Sequence, residues 1–153
     1  MTIRVSTGAR TGMLGSLGFA EQFQNGVILV YSGAQPATAD AAATGTLLGT
    51  VTADAGAFTD GSPTNGLQFE AAANGQIKKL TTQNWKFNGA AAGTAGWFRL
   101  RGNAADAGAL STTLPRMDGS IATTGADLNM SNTNITVGAP HTIDQFDVTF
   151  AAS

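Results

Sequence analysis

"GVILVYSGAQPATADAAATGTLLGTVT", Gly26 to Thr52, decides the fold class. Val27–Ser32 and Thr46–Thr52 are short runs of apolar, aromatic and β-branched residues, the types that suit a pleated surface. Val27–Ser32 is apolar on both faces that a strand presents, as expected of a strand covered on both sides. One face would meet the core, the other an N-terminal helix or a neighbour. Between the runs lies Gly33–Gly45, almost wholly Ala, Thr, Gly, Pro and Asp. This is long for a hairpin loop, so it reads as a crossover between sheets or an interaction loop. Ala37, Thr38, Ala39 and Asp40 are its candidate contact residues, because small side chains let backbone approach backbone and lose little rotamer entropy when covered.

Strand follows strand beyond this stretch. In "LQFEA" Leu67 and Phe69 point one way, Gln68 and Glu70 the other. "IKKLT" and "WKF" make a weaker pair around Ile77–Phe87. "GWFRLR" alternates sharply, with Phe98 and Leu100 on one face and Trp97, Arg99 and Arg101 on the other. Short pieces follow at Ile121, Leu128–Met130 and Ile135–Val137. "HTIDQFDVTF" reads as a last strand with Phe146, Val148 and Phe150 inward and a bulge near Asp144 that brings Ile143 into phase. Four Asn-Gly pairs (at Asn25, Asn65, Asn74 and Asn88) and two Asp-Gly pairs (at Asp60 and Asp118) offer the positive φ of tight turns. About eight or nine short strands at this spacing predict an all-β antiparallel sandwich, jelly-roll-like in strand count. The Cys…Trp…Cys signature of an immunoglobulin domain is absent. Sustained helical periodicity occurs once, in "ARTGMLGSLGFAEQF", where Met13, Leu14, Leu17 and Phe23 fall near one face. Glycines at 12, 15 and 18 each cost about 1 kcal/mol against Ala, so that helix needs a surface to lie on. The division is an N-terminal arm with a short helix, residues 1–25, and a β-sandwich, residues 26–153.

Composition narrows the function. The chain has 153 residues, 42% hydrophobic, with eight Phe and one Tyr, enough for one core. Charged residues are only 12% and the net charge is −2, against about 25% charged in a typical soluble domain. Such an exterior suits a subunit packed in an assembly. The eight Lys and Arg form no basic stripe, which argues against nucleic acid as a partner. No apolar run approaches the length of a membrane helix, and the N-terminus lacks the apolar core of a secretory signal. The expectation is a soluble chain with no membrane contact, made in a cytoplasm.

Catalytic raw material is thin. With no cysteine, disulfides and thiolate metal sites are excluded. The single histidine, His141, follows Pro140 at a strand start and reads as structural. No nucleophile elbow occurs, and Gly8, Gly12, Gly15 and Gly18 lack the Lys-Ser or Lys-Thr of a phosphate loop. Asp118, Asp127 and the oxygens of "DGSPTN", Asp60 to Asn65, are better read as turn formers than as calcium ligands. The reading is of a protein that is not an enzyme and holds no cofactor or metal. Two interface candidates stand out. Trp97, Arg99 and Arg101 share one strand face and belong to residue types enriched at hot spots, although the same arginines could snorkel over their own sheet. Ile3, Arg4 and Val5 alternate as a strand that could add to the sheet edge of another subunit.

Four segments, "ILVYSGAQPATADAAATGTLLGTVT", "GTAGWFRLRGN", "MDGSIATTGADLNM" and "ITVGAPHTIDQFDVTF", together resemble small structural proteins from the head-gene region of tailed bacteriophages. The chain looks like the jelly-roll cement, or decoration, proteins that bind the outside of capsids. That resemblance implies adhesion without chemistry. It makes the major capsid protein the partner and a homo-oligomer, dimer or trimer, the working form, with the virion exterior as location. It carries no catalytic residue. The alternative is a jelly-roll carbohydrate- or receptor-binding module, for which Trp85 and Trp97 are the candidate sugar platforms.

Overall fold

The computed structural model describes residues 3–150. Eleven strands and two short helices make an antiparallel all-β sandwich, with one parallel pair. Strand β1 is Arg4–Val5, α1 Thr7–Leu14, α2 Phe19–Phe23, β2 Val27–Ser32, β3 Leu47–Ala53 and β4 Gln76–Lys78. Then come β5 Trp85–Asn88, β6 Gly93–Arg101, β7 Arg116–Ala122, β8 Leu128–Asn129, β9 Asn134–Ile135, β10 Pro140–Ile143 and β11 Asp147–Thr149. The main sheet runs β1-β7-β6-β2-β3-β5-β10, with β8 beside β7 and β9 beside β6, and β4 pairs β11 separately. Several strands have only two or three residues, so the number exceeds the eight or nine expected.

The core lies between the inner face of the main sheet and the β4–β11 side. Ile28, Val30, Phe98, Leu100 and Met117 meet Phe69, Ile77, Trp85 and Phe146 there. Phe146 is the hub, its ring centroid 5.5 Å from Trp85, 5.8 Å from Phe98 and 6.5 Å from Phe69. Leu67 and Phe69 are buried as their alternation requires, but they join the sheets through isolated bridges to Gly26 and Lys79 rather than as a strand.

Three expectations are corrected. The single amphipathic helix is two: α1 ends at Gly15, and a second begins after Gly18, whose amide donates to the Glu21 carboxylate. The glycine-rich break turns Leu14 and Leu17 to solvent while Phe23 stays in the core. The last segment is two strands, because the chain leaves the edge of β5 at Ile143 and rejoins at β4 from Asp147. Phe146 remains inward, but Phe150 lies beyond the crossover and is largely exposed. Asp118-Gly119 is not a turn; it sits inside β7, where a Cβ at 119 would meet the Phe98 ring. The turn reading holds at Asn25, Asn65 and Asn74, which adopt positive φ.

The N-terminal segment is built into the sandwich. Strand β1 pairs antiparallel with β7, Arg4 opposite Asp118 and Val5 opposite Met117. Ser6 caps α1 by accepting from the Ala9 amide, also accepts from the Arg116 amide, and donates to the Leu114 carbonyl. One hydroxyl thereby fixes the helix start against β7.

Candidate functional site

Period-2 alternation places Trp97, Arg99 and Arg101 of β6 and Arg116 and Asp118 of β7 on the sheet face opposite the core. They do not form an open surface. Trp97 and Arg99 are 0% exposed and Arg101 is 8% exposed, which removes them as direct contacts for another protein. The cover is the chain itself. Residues 33–46 and 102–115, two long connections, lie across this face and supply carbonyls to the arginines.

A layer of paired charge results. Arg99 is directly opposite Asp118 in the β6–β7 register. Its Nε and Nη2 donate to the two Asp118 carboxylate oxygens at 2.7 and 2.8 Å, and Nη2 also donates to the Ala41 carbonyl at 3.1 Å. Arg101 faces Arg116 across the same ladder. Like charges opposite each other repel, so each needs its own carboxylate. Arg101 donates from Nη2 to Asp60 at 2.8 Å. Arg116 donates through Nε at 2.7 Å and Nη2 at 2.5 Å to Asp106 in the second connection. The planar fork of Arg makes such two-point pairing available, and Lys could not replace it.

Aromatic rings complete the layer. Tyr31 stacks on Trp97 with centroids 4.5 Å apart and planes 11° apart. The Arg99 guanidinium lies 5.4 Å from the Trp97 ring, and the Trp97 indole donates to the Thr44 carbonyl. The composition of Gly33–Gly45 follows from this cover. Small side chains bring the backbone close enough for its carbonyls to accept from buried guanidinium groups, which would otherwise be left without partners at high cost. Ala39 is buried in that contact, and the Asp40 carboxylate accepts from the amide and hydroxyl of Thr7 at 2.8 and 2.7 Å. Of the four loop candidates only Ala37 and Thr38 are exposed.

The other candidates fall elsewhere. Arg4 and Val5 are half-buried in the sheet, Arg4 donating to the Pro36 carbonyl at 2.6 Å, while Ile3 is exposed. The segment is therefore a strand of its own sheet rather than a free arm. Trp85 and Trp97, the expected sugar platforms, are both buried. His141 stacks on Phe87 at 5.0 Å. Asp127 accepts from the amide and hydroxyl of Ser120. Among the described residues no group of three or more His, Asp or Glu could hold a metal ion, and no helix is long and apolar enough to cross a membrane.

Arg116 and Asp106 carry no role in the sequence pattern as read, and Asp60 reads there only as a turn former, although a signal existed. "RMD" at 116–118 has the same period of two as "RLR" at 99–101, so two strands each carry a charged face. What no pattern showed is which carboxylates come over from the loops.

The carboxylates respond to their surroundings in opposite ways. Burial pushes Asp118 above the ordinary carboxylate range, against the pull of Arg99. Burial also opposes ionisation of Asp106, but the Arg116 hydrogen bonds and the Gly108 amide outweigh it and hold Asp106 below its ordinary 3.8. A carboxyl depressed in the folded state stabilises the fold above its unfolded pKa, and that contribution disappears as pH falls through the folded value. Asp106→Asn is therefore expected to be clearly less stable than wild type at pH 6. The gap in melting temperature should narrow as pH drops below about 4. An unchanged gap at pH 3 would show that Asp106 is not the group titrating.

Comparison with family models, with curated proteins and with solved structures finds no match for this chain.

Proposed function

We propose that this protein is a structural subunit of a tailed-phage head. In this reading it is a decoration protein that binds the outer capsid surface as a homo-oligomer and ties neighbouring major capsid proteins together. One observation carries the reading beyond the resemblance of its segments. A charge-poor chain has drawn four of its charged residues, Arg99, Arg101, Arg116 and Asp118, into the interior. The exterior is left more sparsely charged still, and it bears Leu14 at 89%, Leu110 at 74%, Phe150 at 64% and Val137 at 63% exposure. Large apolar side chains this exposed cost little to desolvate and contribute when covered. A sandwich whose connections are clamped by internal ion pairs also suits a protein that must hold its shape on a shell. Modest affinity per contact becomes lasting attachment when an oligomer grips several sites together.

The test is co-sedimentation of the purified protein with empty shells of its major capsid protein. Wild type should pellet with the shells. The double variant Leu14→Glu, Leu110→Glu should bind about tenfold more weakly with an unaltered melting curve, since neither side chain is in the core. Absence of wild-type binding, or full binding by the double variant, would overturn the reading or this choice of surface respectively.

A further inference from the structure

The two connections cover β6 and β7 but stop short of the far side of the same sheet face. A cavity of about 590 Å3 is open there, over β2, β3 and β5, within the range of small-molecule sites. Leu29 and Thr50 belong to its floor, Asn88 to one side, and Phe58, Arg101 and Asp106 to its walls.

Charge decides what class of ligand fits. Both ionised groups in the walls are already neutralised: Arg101 by Asp60 at 2.8 Å, Asp106 by both donors of Arg116. An anion would compete with Asp60 and a cation with Arg116, so the cavity favours an uncharged molecule. The lining is divided between apolar surface, from Leu29 and Phe58, and groups that need hydrogen bonds. The Thr50 hydroxyl and the Asn88 carboxamide make no side-chain hydrogen bond among the described residues. The Arg101 Nε likewise has no acceptor there, although the side chain is about nine-tenths buried. An aromatic ring held in place beside unused donors and acceptors matches a sugar, with its apolar C–H face and its hydroxyl edge. Phe58 is so held, with the Arg101 guanidinium 5.3 Å from its ring centroid. The hydrogen bond from Thr52 to the Gly56 carbonyl at 2.8 Å fixes the turn that presents it. Ordering the wall in advance lowers the entropy cost of binding.

We propose that this cavity binds a short uncharged oligosaccharide, with Phe58 as the stacking platform and Thr50 and Asn88 as hydrogen-bonding partners of its hydroxyls. The site is separate from the exposed leucines invoked for shell binding, so the two readings stand or fall independently.

Amide chemical shifts of the intact protein, followed during titration with maltotriose, cellotriose and chitotriose, test the proposal. At least one of the three should give saturable shifts confined to residues around Thr50, Phe58 and Asn88, in the millimolar range or tighter. Phe58→Ala should weaken that binding about tenfold. Asn88→Ala, exposed and without a side-chain partner, should weaken it with no change in melting temperature, which separates lost contact from lost fold. Sialyllactose should bind no better than the neutral trisaccharides. Absence of saturable shifts with all three, binding unaffected in both variants, or preference for the acidic sugar would each overturn the proposal.

Discussion

Asp118→Leu is expected to lower folding stability by about 3–5 kcal/mol, because it leaves the Arg99 guanidinium buried with no counter-charge. Both side chains of this pair are fully buried, so water cannot take over the lost role. For a domain of this size the loss corresponds to a fall of about 10 °C or more in melting temperature. The paired replacement Arg99→Met, Asp118→Leu should recover most of it, since apolar residues of similar volume commonly match or exceed a buried ion pair in stability. Urea denaturation of the three proteins, with unchanged m-values, gives the comparison. A double variant no more stable than the single would mean that the pair acts through more than charge compensation. The candidate for that extra term is the bond from Arg99 to the Ala41 carbonyl, which pins the first long connection.

Trp97→Ala should cost about 3–5 kcal/mol as well, for a different reason: it removes a large, fully buried ring and leaves a cavity under a connection with no large apolar side chain to refill it. The effect should be local as well as global. Tyr31 loses its stacking partner and the Thr44 carbonyl its indole donor. Amide exchange should therefore accelerate across residues 33–46 beyond the global change, most visibly at Ala43, whose amide donates to the Gly108 carbonyl of the other connection. Exchange that rises uniformly over the whole chain would show that the arginines alone hold this cover.

These two expectations reverse the meaning of the residues most conspicuous in the sequence. Trp and Arg alternating on one strand are legible as a face of distinct chemistry, and the structure confirms that they share a face opposite Phe98 and Leu100. The alternation carries no information on what covers that face. Ala37 to Asp40 show the same ambiguity. Small residues are equally suited to lying against another protein or against the chain's own sheet, and here Ala39 and Asp40 do the latter. Ile3, Arg4 and Val5 were legible as a strand, but its neighbour, β7, is more than a hundred residues away in sequence. The Asn88–Phe58–Thr50 cavity left no pattern at all, since its residues come from three separate segments and none is of an unusual type.

Local physics determined the elements. Period-2 alternation, β-branched runs and Asn-Gly turns set which residues form strands and which side of each strand is apolar, and the shortage of charge set the character of the exterior. Those properties depend on neighbours along the chain, so they can be read there. Only the folded structure decided which strands became sheet neighbours, that two long connections close over the arginine face, and which carboxylate meets which guanidinium. Each of those outcomes joins residues ten or more positions apart, through contacts whose energy exists only once the chain has been brought together.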